Sequence, residues 1–368
     1  MNRRNGKIEL MRFAFCMCVL FFHLNGDFWS RGKMLTEHIS FFASGYYGVE
    51  YFFLLSGFLT AQKAYEQTQH APRLDEHTEG RDTGSETLRF LWHKLKPILP
   101  YHIAACLIYL ALSLAYGQIN DLEAVISSLP NLFLIHRTGL HGVYGKTILS
   151  VEWYLGALFL ALAVLYPLLR RFYYTFARLV APFTVLTLLG WLSYTTGTLR
   201  DVDIWCGFTF NSNLFAFGEL CLGVSCFELC RGLRKRSFTT PQRLLLSLLE
   251  LFGWAVTLYY TVSAPEVSEL YGYYVLFPLG LSIAIAFSRQ GLLGQLPFWD
   301  NRFFRFLGAI SLPIYLLQNI PRIIIANSLS FLPRRIKFLI ACVLVIGGGA
   351  LAYWIVETVR RRHALRAR

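Results

Sequence analysis

Ten long apolar runs constrain this chain more than any other feature. A helix crossing the hydrocarbon core of a bilayer needs roughly 20 mostly apolar residues, within a range of about 17–25. Segments 8–25, 41–62, 98–116, 151–169, 179–196, 207–229, 243–262, 271–288, 305–327 and 336–357 meet that requirement. Lipid offers no partner to a backbone N–H or C=O, so such segments must be helical. Hydrophobic residues make up 55% of the sequence and charged residues 15%, against about 25% charged in a typical soluble domain. These proportions exclude a disordered chain, a coiled coil and a soluble enzyme with a charged shell. The expected fold is all-α: a polytopic integral membrane protein of about ten transmembrane helices, forming one domain over residues 1–368. Gly45, Gly48 and Gly57 in the second run permit close helix contact.

The net charge of +13 reads as a preference for one side of a membrane, not as affinity for nucleic acid. Lys and Arg accumulate in cytoplasmic loops. With the N-terminus inside, the inner segments hold 25 of the 35 Lys and Arg residues and the outer segments nine. Both termini are therefore expected in the cytoplasm, in a multi-pass protein of the cell membrane with a basic tail at 358–368. Arg334, Arg335 and Lys337 oppose the pattern by falling outside.

The polar cytoplasmic stretch at 64–88 is mixed in charge and reads as a mobile loop. His70, Asp75, Glu76, His77 and Glu79 within it resemble a metal cluster, but nothing in a solvated loop fixes ligand geometry. Residues 117–150 form the longest outer loop and carry His136, Arg137 and His141. The eight cysteines lie almost entirely in apolar runs, with no paired Cys-x-x-Cys spacing. Neither disulfides nor a metal site is expected. The first run lacks a small-residue cleavage site and reads as a retained span.

Ionisable side chains inside a span are costly and mark functional candidates. Four stand out: Arg12, His23, Glu50 and Glu219. Arg12 and His23 lie eleven residues apart, three helical turns plus about 20°, so they share a face at an axial separation of about 16 Å. That face offers a permanent cation toward the inner side and a titratable base toward the outer side. Snorkelling of Arg12 and interfacial placement of His23 would explain the same positions structurally. Glu50 shares a face with Gly57, and Ser56 is next door. Helix pairing alone is the competing explanation for Glu50 and the favoured one for Glu219. At the outer start of the fourth run, Ser150 can cap the helix and Glu152 suits its dipole. Trp153 and Tyr154 fit an interfacial belt.

Several stretches resemble the membrane-bound acyltransferase family 3, of the polysaccharide O-acetyltransferase type. The family's first span carries Arg, ten residues, then His, as in Arg12-FAFCMCVLFF-His23. Its second-span motif is similar to Gly45-Tyr-Tyr-Gly-Val-Glu50-Tyr-Phe-Phe-Leu-Leu-Ser56-Gly57-Phe58. Lys94-Leu-Lys96-Pro-Ile-Leu-Pro100-Tyr101, Glu152-Trp153-Tyr154-Leu155 and Ile310-Ser311-Leu-Pro-Ile-Tyr315 also fit. Two positions depart: Pro97 stands where a second basic residue is usual, and Gln318 where a His is usual.

The resemblance implies an O-acyltransferase, transferring groups other than amino-acyl groups. It would move an acyl group, usually acetyl, from cytoplasmic acetyl-CoA to a hydroxyl of an extracytoplasmic or lipid-linked glycan. No bound cofactor is implied, and acyl-CoA, the acceptor glycan and the bilayer are the partners. His23 and Glu50 would be catalytic, with His23 as general base or transient acyl carrier and Glu50 orienting it. Arg12, Lys94, Lys96, Ser56 and Gly57 would hold the donor. Glu152, Trp153, Tyr154 and Tyr315 would meet the acceptor. A different donor such as succinyl-CoA fits the same motifs. A transporter or flippase of a glycan intermediate, using Arg12, Glu50 and His23 as a polar relay, is the rival from another class.

Overall fold

The computed structural model describes residues 5–28, 41–70, 76–135, 138–139, 149–197, 199, 203–263 and 269–366. Among them the chain is helical, with no strand. The helices are α1 (Gly6–Phe28), α2 (Gly48–His70), α3 (Glu76–Leu95), α4 (Leu99–Ala115), α5 (Leu122–Leu132), α6 (Trp153–Thr175), α7 (Ala181–Thr184), α8 (Gly190–Thr196), α9 (Asn211–Arg234), α10 (Thr240–Ser263), α11 (Glu269–Ser288), α12 (Arg302–Leu317), α13 (Asn319–Ser328) and α14 (Arg334–Arg366). By length and hydropathy, four helical stretches among the described residues can cross a membrane, or six if two bent pairs each count as one span. Those pairs are α3 with α4, bent by 57°, and α12 with α13, bent by 48°.

One of the four, Trp153–Thr196, is 44 residues long. As a straight rod it would reach about 66 Å, twice the roughly 30 Å of a bilayer core. It does not run straight. Phe172 leaves helical geometry at φ −126°, ψ 41°. The Tyr173 hydroxyl donates to Glu228 at 2.7 Å, and Arg178 pairs with the same carboxylate at 3.2 Å. Eleven residues further on, Leu189 packs on Gly218, ten residues back along α9. At the other end of α6, Tyr154 and Phe215 both pack on Phe53. The chain therefore follows α9 in one direction, turns near Arg170–Arg178, and returns. The apolar runs 151–169 and 179–196 are its two limbs.

Glycine sets the closest helix contacts. A Cβ on Gly57 would strike the Leu220 backbone, and one on Gly223 would strike the backbone of Leu54 and Phe58. This lets α2 and α9 interlock. Gly45 and Gly48 rest in the same way on the carbonyls of Cys18 and Phe15. Contact at Phe15 fixes the register of α2 against α1: α2 begins opposite the middle of α1 and continues past its start. The Tyr51 hydroxyl donates to the Ile8 carbonyl at 2.7 Å. The first turn of α1 is itself inside the bundle, where buried Lys7 donates to both oxygens of buried Glu250 at 2.6 and 2.9 Å.

Two expectations about loops are corrected. The stretch 64–88 is not a loop over its described length: α2 runs to His70 and α3 starts at Glu76. Tertiary contacts hold it, since Glu86 pairs with Arg170 at 2.9 Å and Phe90 stacks on Tyr166 at 4.0 Å. The side chains of His70, Asp75, Glu76, His77 and Glu79 lie outside the described residues. Residues 117–150, expected as the longest outer loop, are not loop throughout their described part. They contain α5, whose last carbonyl, Leu132 O, lies 3.2 Å from His102 Nε2 on α4. His136, Arg137 and His141 lie outside the described residues.

Candidate functional site

Two clefts meet at Arg12. The first, about 590 Å³, is lined by Arg12, Ser56, Lys94, Tyr154, Tyr315 and Arg360 among others. The second, about 780 Å³, is lined by Arg12, Asn5, Lys63, Glu66, Arg234 and Arg289 among others. Leu55 and Leu59 of α2 border both. Glu9 holds the guanidinium at 3.1 Å from one turn earlier on α1, and Glu9 is the more buried of the two. Its carboxylate presses on Gly308 of α12, where a Cβ would strike it. A fixed guanidinium with one side engaged and the other facing a cleft is suited to an anion.

The inner end of the first cleft is aromatic and hydroxylic. Tyr154 packs on Phe53 at 4.6 Å and edge-on to Tyr315 at 5.7 Å. Its hydroxyl neighbours Ser56 and lies within electrostatic reach of Arg12 and Glu219. The Tyr315 hydroxyl donates to the Val151 carbonyl at 2.8 Å. Cys16, one turn beyond Arg12 on its face, donates to the Ser311 carbonyl at 3.1 Å. Buried Cys16 and Val19 therefore occupy the helix face between Arg12 and His23.

The structure brings some expected site residues together and separates others. Arg12, Ser56, Lys94, Tyr154 and Tyr315 share the first cleft. Lys96 is exposed in the turn between α3 and α4 and is not in its lining. Gly57 faces α9 rather than either cleft.

His23 is three turns above Arg12 and lines neither cleft. It touches the Phe22 ring at 5.2 Å, and the charge that reaches it is Arg322. Glu50 interacts with Glu219. Gly48 rests on Phe15, about 12 Å below His23 along the axis, and Glu50 lies lower still. One oxygen of Glu50 and both of Glu219 are buried without a hydrogen-bond partner.

Glu152 requires a correction. It does not stand at an outer rim. The short 3₁₀ turn Ser150–Glu152 directs its carboxylate into the protein. There it is fully buried, 3.1 Å from His102 Nδ1, and it accepts the Cys106 thiol at 2.9 Å. Trp153 packs near Phe53 at 6.1 Å. Sequence reasoning passed over Arg360, Lys63, Arg234 and Arg289. Each sits at the end of an apolar run, and only the tertiary arrangement shows which ends converge.

Membrane-length apolar helices around a polar cleft define a polytopic membrane protein. The chain belongs to acyltransferase family 3: the family's acyltransferase domain matches residues 5–354. No curated protein and no solved structure gives a significant match.

Proposed function

We propose that this membrane acyltransferase transfers an acyl group, acetyl foremost, from acyl-CoA to a hydroxyl of a glycan or lipid-linked sugar across the bilayer. The observation that carries the reading is Arg12 at the junction of two clefts, with Lys94 and Arg360 on one and Lys63, Arg234 and Arg289 on the other. Coenzyme A is a polyanion, and charge-assisted contacts to its phosphates are the strong kind. Both termini and these cations would then lie on the cytoplasmic side of the cell membrane.

A sugar hydroxyl is a weak nucleophile, and general-base help is typically worth 10²–10⁴-fold. His23 serves as that base, or carries the acyl group in passing. In this reading Tyr154, Ser56 and Tyr315 border the acyl end of the donor, and Cys16 and Val19 must yield for it to reach His23. The buried Glu50 and Glu219 pair supports the wall of that path.

Membranes carrying the protein, given labelled acetyl-CoA and acceptor, test this. His23→Ala should abolish label transfer with normal membrane insertion. Arg12→Ala should raise the donor KM. Full transfer in His23→Ala removes the base, and an unchanged KM in Arg12→Ala removes the donor site.

A further inference from the structure

We infer that His102, Cys106 and Glu152 form a binding site for one divalent metal ion of the zinc type, contrary to the expectation from sequence. His102 and Cys106 stand one turn apart on α4, and Glu152 enters from the turn before α6. His Nδ1, Cys Sγ and a carboxylate oxygen of Glu152 all lie within 4.8 Å of one another, and all three residues are buried. The separations are 3.1 Å for His–Glu, 2.9 Å for Cys–Glu and 3.9 Å for Cys–His. Zinc bonds of about 2.0–2.3 Å in tetrahedral geometry imply donor–donor edges of about 3.2–3.8 Å. The His–Glu separation fits such an edge; the Cys–Glu separation is shorter and Sγ stands 3.9 Å from Nε2 as well as from Nδ1, so the Cys106 side chain must turn toward Nδ1 when an ion binds.

The hydrogen bonds favour a cation. A carbonyl oxygen can only accept, so the contact with Leu132 O places a proton on His102 Nε2. In the neutral ring this leaves the Nδ1 lone pair aimed at the carboxylate of Glu152. Two acceptors in a dry site need a proton or a metal ion between them, and a divalent ion can serve both at once. A second partner holding the far ring nitrogen is the usual support of a metal-bound histidine. The second carboxylate oxygen, Oε2, is buried with no hydrogen-bond partner, and a bidentate Glu152 would complete the shell with a fourth donor in a distorted tetrahedron.

Charge balances as well. A divalent ion displaces the Cys106 thiol proton to solvent and bonds to the thiolate. Glu⁻, Cys⁻ and M²⁺ then sum to zero, which lowers the cost of burying them. One sulfur, one nitrogen and carboxylate oxygen form a borderline donor set of the kind zinc accepts.

The ion would tie together α4, the end of α5 and the start of α6. That start carries Tyr154 into the first cleft, and Val151 beside it receives the Tyr315 hydroxyl. The site is therefore structural and adjoins the cleft wall without opening to it. The inference stands independently of the acyl-transfer reading.

The test uses the full-length protein in lipid nanodiscs, exposed to zinc or cobalt(II) and then freed of loose metal. Wild type should retain about one ion per chain, and its cobalt form should show a thiolate-to-cobalt charge-transfer band. X-ray absorption at the zinc edge should show a single sulfur near 2.3 Å among nitrogen and oxygen ligands. Cys106→Ser and Glu152→Gln should lose the ion, while Cys221→Ser keeps it. Wild type that retains no ion overturns the inference, as does a ligand shell with no sulfur or with several. A cobalt band that persists in Cys106→Ser does the same. The wild-type measurements decide the matter even if the variants fail to fold.

Discussion

Lys7→Met should be among the most damaging single changes that leave both clefts' linings intact. The Lys7 ammonium donates to both Glu250 oxygens at 2.6 and 2.9 Å, and the two side chains are 7% and 2% exposed. Removing one partner leaves a bare carboxylate in a dry environment, which typically costs about 3–5 kcal/mol. That is roughly a hundredfold or more in an unfolding equilibrium. Replacing both partners with apolar residues of similar volume is often neutral or stabilising, because neither charge then needs desolvation. Lys7→Met/Glu250→Leu should therefore recover most of the loss. Denaturation of the four proteins in detergent micelles, read as a double-mutant cycle, gives the coupling directly. It should be about 3 kcal/mol or more. Single variants that each cost under about 1 kcal/mol, or a double variant equal to their sum, would refute the reasoning and the buried placement of the first turn of α1.

Gly57→Leu should separate α2 from α9, since even its Cβ meets the Leu220 backbone; overpacking of this kind costs about 1–3 kcal/mol or more, seen as a lowered thermal midpoint. Lys94→Ala should raise the donor KM by about tenfold, the worth of one charge-assisted contact, whereas Lys96→Ala should leave it within about twofold; steady-state kinetics on both variants checks their placement. Glu9→Gln should remove the countercharge 3.1 Å from Arg12 and tighten binding of the anionic donor with little effect on insertion, as measured by binding of a labelled donor analogue.

Much of the helical architecture was legible in the apolar runs because lipid forces every spanning backbone into internal hydrogen bonds. The turn after α6 was marked by Arg170, Arg171 and Arg178, which cannot rest in hydrocarbon. The depth of Arg12 was less legible. It depends on the register of α1 against α2, set by Gly45 and Gly48 on two carbonyls, and no spacing within one helix encodes that. Lys94 and Lys96 were grouped as one basic stretch, but α3 ends between them and leaves Lys96 in an exposed turn. His102 and Cys106 were visible at a one-turn spacing on one face. Their acidic partner is 46 residues further along, and only the turn preceding α6 brings it in. Glu152 was placed at an outer rim by the ordinary helix-start reading, which a buried histidine on another helix overrides.

The most direct test of the central claim is a sided transfer assay in sealed proteoliposomes of uniform orientation. Labelled acetyl-CoA is supplied on the face that carries Lys94 and Arg360, and a glycan acceptor is enclosed on the other. Wild type should place label on the enclosed acceptor, while the Arg12→Ala and His23→Ala proteins should leave it in the donor pool. Transfer that persists in either variant, or label that reaches only acceptor on the donor's own side, would contradict the account.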